Sequence, residues 1–165
     1  MQRSTIDGSV SVLAVIGLGA NLGDARATLA AAVLALTGLP NSTLRATSSI
    51  YRSAPVDSSG PDYLNAVALL DTCLEPHALL AKLQRIEQTH GRERPYRNAP
   101  RTLDLDILTY GSARIDSPAL TLPHPRMAQR AFVLMPLAEL APHRVAADVL
   151  HAVSCQSCVR LKEPV

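Results

Sequence analysis

Two aspartates stand two residues apart in the segment Pro100-Arg101-Thr102-Leu103-Asp104-Leu105-Asp106-Ile107-Leu108. Polar and apolar residues alternate there with period two, which predicts a half-buried β-strand. Side chains two apart on a strand point to the same face. Asp104 and Asp106 therefore share one face, and Leu103, Leu105 and Ile107 share the other. Carboxylates roughly 7 Å apart along a strand repel each other unless a cation lies between them. Just upstream, Arg92, Arg94, Arg97 and Arg101 fall within ten residues of one another. Guanidinium forks grip phosphate oxygens bidentately. Acids suited to a metal beside arginines suited to phosphate point to chemistry on a metal–polyphosphate complex.

Other residues could serve such a site. Prolines on both sides of His124 hold it in an extended or turn conformation. Tyr63 and Asn65, two apart on a predicted strand, place a ring beside an amide. Gln84 and Glu87 flank the apolar stripe of a predicted helix. The run Gly17-Leu18-Gly19-Ala20-Asn21-Leu22-Gly23-Asp24 is rich in glycine, but no Lys-Ser/Thr follows it and its spacing is not G-x-G-x-x-G. It reads as a tight turn, with Asp24 as a helix N-cap.

The elements that must carry these groups follow from periodicity. A first strand is expected from Val10 to Leu18. A helix then buries Leu29, Ala32, Val33 and Leu36 and ends at Gly38 and Pro40. Thr43 to Tyr51 alternates as a second strand and Tyr63 to Asp71 as a third. Pro76 opens a second helix that runs to about His90 and buries Leu79, Leu80, Leu83 and Ile86. The Asp104/Asp106 strand is fourth. A short hairpin partner starts between Ala113 and Asp116, and a helical run spans Val133 to Leu140. Beyond Pro142 the pattern is weak. Strand, helix, strand, strand, helix, strand is the β-α-β-β-α-β order of a ferredoxin-like α+β sandwich, with small C-terminal additions. Both helices would lie on one face of a largely antiparallel sheet, leaving the other face open to ligands.

The composition bounds the reading. At 165 residues and 47% apolar, the chain is expected to form one globular domain, residues 10–165, behind a loose polar arm at residues 1–9. A net charge of +2 is too small to argue for nucleic acid or a membrane surface, and no apolar run approaches transmembrane length. Cys155 and Cys158 form a C-x-x-C that lacks the second ligand pair of a zinc site, and Cys73 reads as a small core residue. Three cysteines without a secretion signal fit a reducing, cytoplasmic setting.

Taken together, the peptides go beyond generic pattern. Gly19-Ala20-Asn21-Leu22-Gly23-Asp24, Ser49-Ile50-Tyr51-Arg52-Ser53-Ala54-Pro55, Asp62-Tyr63-Leu64-Asn65-Ala66, Pro100-Arg101-Thr102-Leu103-Asp104-Leu105-Asp106-Ile107 and Leu122-Pro123-His124-Pro125-Arg126 occur in this order. They resemble the hydroxymethyldihydropterin pyrophosphokinase family, HPPK, over roughly residues 12–142. The resemblance implies transfer of pyrophosphate from ATP to 6-hydroxymethyl-7,8-dihydropterin, giving the pterin diphosphate and AMP in folate biosynthesis. It implies that Asp104 and Asp106 bind two Mg²⁺ ions and that Arg92 and Arg94 are catalytic. Gln84, Glu87, Arg92, Arg94, Arg101, Leu120, Thr121, His124 and Arg130 match positions around ATP, and Arg97 shares the arginine loop. Ser53, Ala54, Val56, Tyr63, Asn65, Asn98 and Phe132 match positions around the pterin.

Several departures from the family pattern stand out. Ser53 replaces a common threonine, Ala54 a common proline, and Pro125 a frequent tyrosine. Asn98 stands where some members carry a tryptophan. The resemblance implies small-molecule substrates, ATP and the pterin; neither nucleic acid nor membrane is expected as a partner, and a monomer is expected because the sequence shows no surplus apolar face. Met1 and the full motif set suggest a free-standing enzyme. Two rivals share the fold expectation: a noncatalytic ligand-binding module, and an RNA-binding domain using the arginine loop. The second would need aromatic stacking platforms, and this chain has one Phe, four Tyr and no Trp.

Overall fold

A computed structural model describes residues 5–6, 9–56, 59–90 and 102–165. At the N-terminus, β1 (Thr5–Ile6) pairs antiparallel with β2 (Ser9–Val10). The main sheet is built from β3 (Val12–Ala20), β4 (Ser42–Thr47), β5 (Ser49–Ser53), β6 (Tyr63–Thr72), β7 (Asp104–Tyr110) and β10 (Cys158–Pro164). Its strand order is β10-β5-β6-β3-β7, with β4 also paired to β6, and every pairing is antiparallel. Between β7 and β10 come a two-strand ribbon of β8 (Ile115–Asp116) and β9 (Thr121–Leu122), then α3 (Ala131–Leu140) and α4 (Ala147–Ala152).

Two layers of core lie on opposite faces of this sheet. α1 (Ala25–Thr37) begins at Asp24, whose carboxylate accepts the Ala27 N–H at 3.0 Å, so the predicted N-cap is present. It buries Leu29, Ala32 and Leu36. α2 (Pro76–Thr89) buries Leu79, Leu83 and Ile86. These side chains pack on Ile16, Leu18, Ala68, Leu70, Leu103, Leu105 and Ile107. The apolar alternate residues of β7 thus face the two helices, as their period-two spacing requires. On the other face, Val133 and Leu137 of α3 pack on Val15, Val67, Leu69 and Leu108. That face is therefore not fully open: α3 roofs part of it and leaves the rest as a cavity.

Three elements differ from the sequence expectation. The stretch from Thr43 to Tyr51 is two strands, not one. Its alternation is interrupted at Ser48, whose Oγ accepts the Val67 N–H at 3.0 Å and donates to the Ser49 carbonyl at 2.8 Å. Gly17 and Gly19 lie inside β3 rather than in a turn, because the strand continues to Ala20. The weakly patterned tail forms α4 and then an edge strand, with Cys158 opposite Ser53 and Arg160 opposite Tyr51. The expected arm at 1–9 contains β1 and the start of β2; its other residues lie outside the described ones.

Candidate active site

A cavity of about 490 Å³ opens on the α3 face of the sheet. Its floor is set by strand register. Gly17 lies between Asp106 on β7 and Val67 on β6, and Gly19 lies between Asp104 and Asn65. Cross-strand partners share a face, so both aspartates, both glycines and the asparagine look into the same space. All of them line the cavity. The glycines keep that floor flat. A Cβ added at Gly19 would sit 3.4 Å from Asn65 Oδ1, and one at Gly17 would sit 3.4 Å from the Leu108 side chain. Glycine inside a strand marks a close approach of another group to the backbone.

One wall is neutral and hydrogen-bonded. Asn65 is 4% exposed, and its Nδ2 donates to Ser53 Oγ at 2.9 Å and to the Tyr51 carbonyl at 3.4 Å. With its N–H groups engaged on β5, its Oδ1 is the acceptor left beside Gly19. Ser53, Ala54, Val56, Tyr63 and Phe132 complete this wall. The result is an amide acceptor in a wall that also carries two aromatic rings, suited to a flat heterocycle with polar edges.

The opposite wall is charged. Asp104, Asp106, His124, Arg126 and Arg130 all line it. The Arg126 backbone N–H donates to His124 Nδ1 at 3.2 Å, which leaves the ring proton of the neutral imidazole on Nε2. Burial pushes the His124 pKa below its ordinary value, and the guanidiniums of Arg130 and Arg126 push it the same way against the pull of Asp104. The imidazole is thus a neutral donor at neutral pH. Burial also lowers the Arg130 pKa, while Asp106 and Asp104 favour its charge. The Arg130 guanidinium sits 5.4 Å from the Phe132 ring centroid, within cation–π range, and so joins the two walls.

Other candidates lie elsewhere. Leu120 is buried and Thr121 half-buried, on or beside the β8–β9 ribbon. Gln84 is exposed on α2. Glu87 is 1% exposed, and its Oε1 accepts the Leu105 N–H at 2.8 Å. That bond steadies the edge strand β7 between its two aspartates. None of these four lines the cavity. Arg92, Arg94, Arg97, Asn98 and Arg101 fall outside the described residues. Sequence reasoning missed Gly17, Gly19 and Arg126 as wall residues. A glycine two residues from another inside an apolar, strand-like run was the available signal for the first two.

A support lies behind the neutral wall. Glu139 on α3 accepts from Ser49 N and Ser49 Oγ at 3.0 Å each, and from Tyr51 Oη at 2.7 Å; Arg160 on β10 approaches it at 3.4 Å. Burial alone would raise the Glu139 pKa, but these hydrogen bonds and Arg160 together hold it below the usual carboxylate range. Burial and the bond to Glu139 push Tyr51 well above the ordinary phenol value. Of the C-x-x-C pair, Cys155 is exposed and burial raises the Cys158 thiol, the opposite of an activated thiolate.

Comparison with known proteins agrees with this geometry. The family described as 7,8-dihydro-6-hydroxymethylpterin-pyrophosphokinase (HPPK) matches residues 15–142. The chain belongs to this family. A 2-amino-4-hydroxy-6-hydroxymethyldihydropteridine pyrophosphokinase of Pseudomonas aeruginosa is 47% identical over 137 residues, 82% of this chain and 85% of that one. Its Haemophilus influenzae namesake is 48% identical over 131 residues, 79% of this chain and 82% of that one. Among solved structures, a Plasmodium falciparum HPPK-DHPS triple mutant with STZ-DHP shares the fold at a TM-score of 0.66 and 13% identity. The likeness covers 87% of this chain and 42% of that longer one. The family match runs from within β3 to just past α3, the segment that holds every cavity-lining residue among those described.

Proposed function

We propose that this HPPK-family chain transfers the pyrophosphoryl group of ATP to the hydroxymethyl oxygen of 6-hydroxymethyl-7,8-dihydropterin, giving the pterin diphosphate and AMP in folate biosynthesis. The observation that carries this reading is the pairing of a neutral, amide-bearing wall with a charged wall across one glycine floor. In the reaction, the pterin hydroxyl oxygen bonds to the β-phosphorus of ATP. The bond from that phosphorus to the α–β bridging oxygen breaks, AMP leaves, and the hydroxyl proton is released.

The chain's residues divide the work. Asn65 accepts a hydrogen bond from the pterin edge, while Tyr63 and Phe132 cover its faces and Ser53, Ala54 and Val56 bound it. His124 donates from Nε2 to a phosphate oxygen, and Arg130 places positive charge where negative charge develops. Arg92, Arg94 and Arg101 keep the phosphate-gripping roles that the family resemblance implies, and Asn98 its place near the pterin. Gln84, Leu120 and Thr121 would border the nucleotide, and Glu87 would serve it through β7.

Asp104 and Asp106 fit Mg²⁺. They offer hard oxygen donors from one strand face, and the described residues hold no cluster of three or more His, Cys, Asp or Glu groups. Mg²⁺ binds through one or two carboxylates with substrate phosphates completing its shell. Two such ions, bound there with ATP, would supply charge neutralisation on the phosphates. The sheet order β5-β6-β3-β7, with α1 and α2 on one face, supports a ferredoxin-like core. The same reading takes residues 10–165 as one domain behind an N-terminal arm, monomeric and cytoplasmic. The large apolar side chains exposed among the described residues are Val10, Leu34, Val56 and Val159, on β2, on α1, after β5 and on β10. No helix among the described residues is long and apolar enough to cross a membrane.

The deciding experiment is AMP release from ATP with and without the dihydropterin and with and without Mg²⁺. Release that requires both additions is the expected result. AMP formation indifferent to the dihydropterin would reject the assignment.

A further inference from the structure

Arg130 holds the junction between the two walls, yet the helix it precedes has no cap of its own. Arg130 is the N-cap residue of α3 and makes no side-chain capping bond. The missing partner comes from the tail. Gln156 Oε1 accepts the Ala131 N–H at 2.9 Å, and Gln156 Nε2 donates to the Gln129 carbonyl at 2.8 Å. The two bonds fall on either side of Arg130, so one planar amide brackets its backbone from both neighbours. The bracket is itself anchored. The Gln156 N–H donates to the Val153 carbonyl at 3.0 Å, and Val153 is buried against Ala131 and Leu134. Gln156 does not line the cavity and lies beyond residue 142, where the family match ends.

We propose that Gln156 is a positioning residue for Arg130, setting the direction in which its guanidinium enters the cavity. The reasoning is geometric. An extended residue at a helix start can rotate its flanking peptides. The Arg130 N–H already donates to the Met127 carbonyl at 3.3 Å, and the Arg130 carbonyl accepts from Val133 and Leu134; fixing the remaining Gln129 C=O and Ala131 N–H completes the restraint on both peptides. The tail beyond the family match then shapes the site without touching a substrate. This inference rests on the reading that Arg130 acts on ATP phosphates, so its test needs one arm that is independent of turnover.

The first arm compares the Arg130 Nε–H resonance in ligand-free wild-type and Gln156→Ala protein by ¹H–¹⁵N NMR. A shift or broadening is expected, with partial return in Gln156→Glu, which keeps the acceptor for Ala131 but loses the donor to Gln129. An unchanged resonance overturns the inference. The second arm is a double-mutant cycle on kcat/KM for ATP. Gln156→Ala should lower it by about fivefold to tenfold, the scale of one or two modest hydrogen bonds. It should lower it no further in an Arg130→Ala background. A loss of equal size in both backgrounds would mean that Gln156 acts elsewhere. Gln156 is exposed, so the variants should fold; thermal unfolding measures this, and Gln156→Glu supplies a second substitution. Should Arg130→Ala alone leave kcat/KM unchanged while the resonance still shifts, the role of Arg130 on ATP falls and the positioning by Gln156 stands.

Discussion

The two walls of the cavity are built on opposite principles. The β5–β6 wall is organised before any ligand arrives: Asn65 spends its donors on Ser53 and Tyr51, and Glu139 locks Tyr51 and Ser49 from behind. The β7 and His124–Arg130 wall sets carboxylates against guanidiniums in partial burial. A neutral, prearranged wall gives selectivity, because a wrong ligand leaves a buried acceptor without a partner. A wall of opposed charges gives rate, because it responds to charge that appears only as bonds break. The contrast suggests that binding and turnover can be damaged separately.

Three substitutions or titrations probe that separation. The largest effect is expected on the charged side: Asp106→Ala should lower kcat on the order of a thousandfold or more. Its dihydropterin affinity, measured by calorimetry, should stay within a few-fold of wild type. Loss of both together would erase the contrast. On the neutral side, Asn65→Ala should weaken dihydropterin binding by about tenfold to a hundredfold, the cost of a buried hydrogen bond lost with its network. ATP binding should be unaffected; an equal loss for ATP would show the walls to be one unit. The smallest effect is the titration of His124.

Its NMR midpoint should lie below the ordinary 6.5 and should rise in Arg130→Ala, since burial and Arg130 both disfavour the charged ring. Between the lowered value and 6.5 the folded protein binds fewer protons at His124 than the unfolded chain does. The stability that this group contributes is therefore complete above about 6.5 and declines as pH falls toward the folded value. A midpoint at or above 6.5 would place the ring in a different setting from the one seen beside Arg126.

The same contrast separates what could be read from the sequence from what could not. Asp104 and Asp106 were legible because β7 alternates cleanly, with its apolar partners buried on two helices. Asn65 was legible by the same period on β6. Peptide resemblance, not periodicity, tied them to His124 and Phe132, which arrive from separate loops and helices. What escaped depended on partners distant in the chain. Ser48 breaks an unbroken alternation by trading a ladder bond for its own hydroxyl. β10 alternates only from Val159 to Lys162 before Glu163 and Pro164, a run too short to claim a strand by itself, and it pairs on the free edge that β5 offers. Glycines 17 and 19 suggested a turn because glycine punctuates loops more often than it floors a cavity.

That bare floor has a consequence for anyone wishing to block the protein. Two peptide planes without side chains cannot swing aside or refill when a visitor changes shape. A thin, rigid inhibitor would meet the same surface in every copy, and resistance by altering a rotamer there is closed off. An escape route would have to plant a methyl group at position 19, beside the very oxygen that Asn65 offers. The natural guest would be crowded by the same change as the intruder.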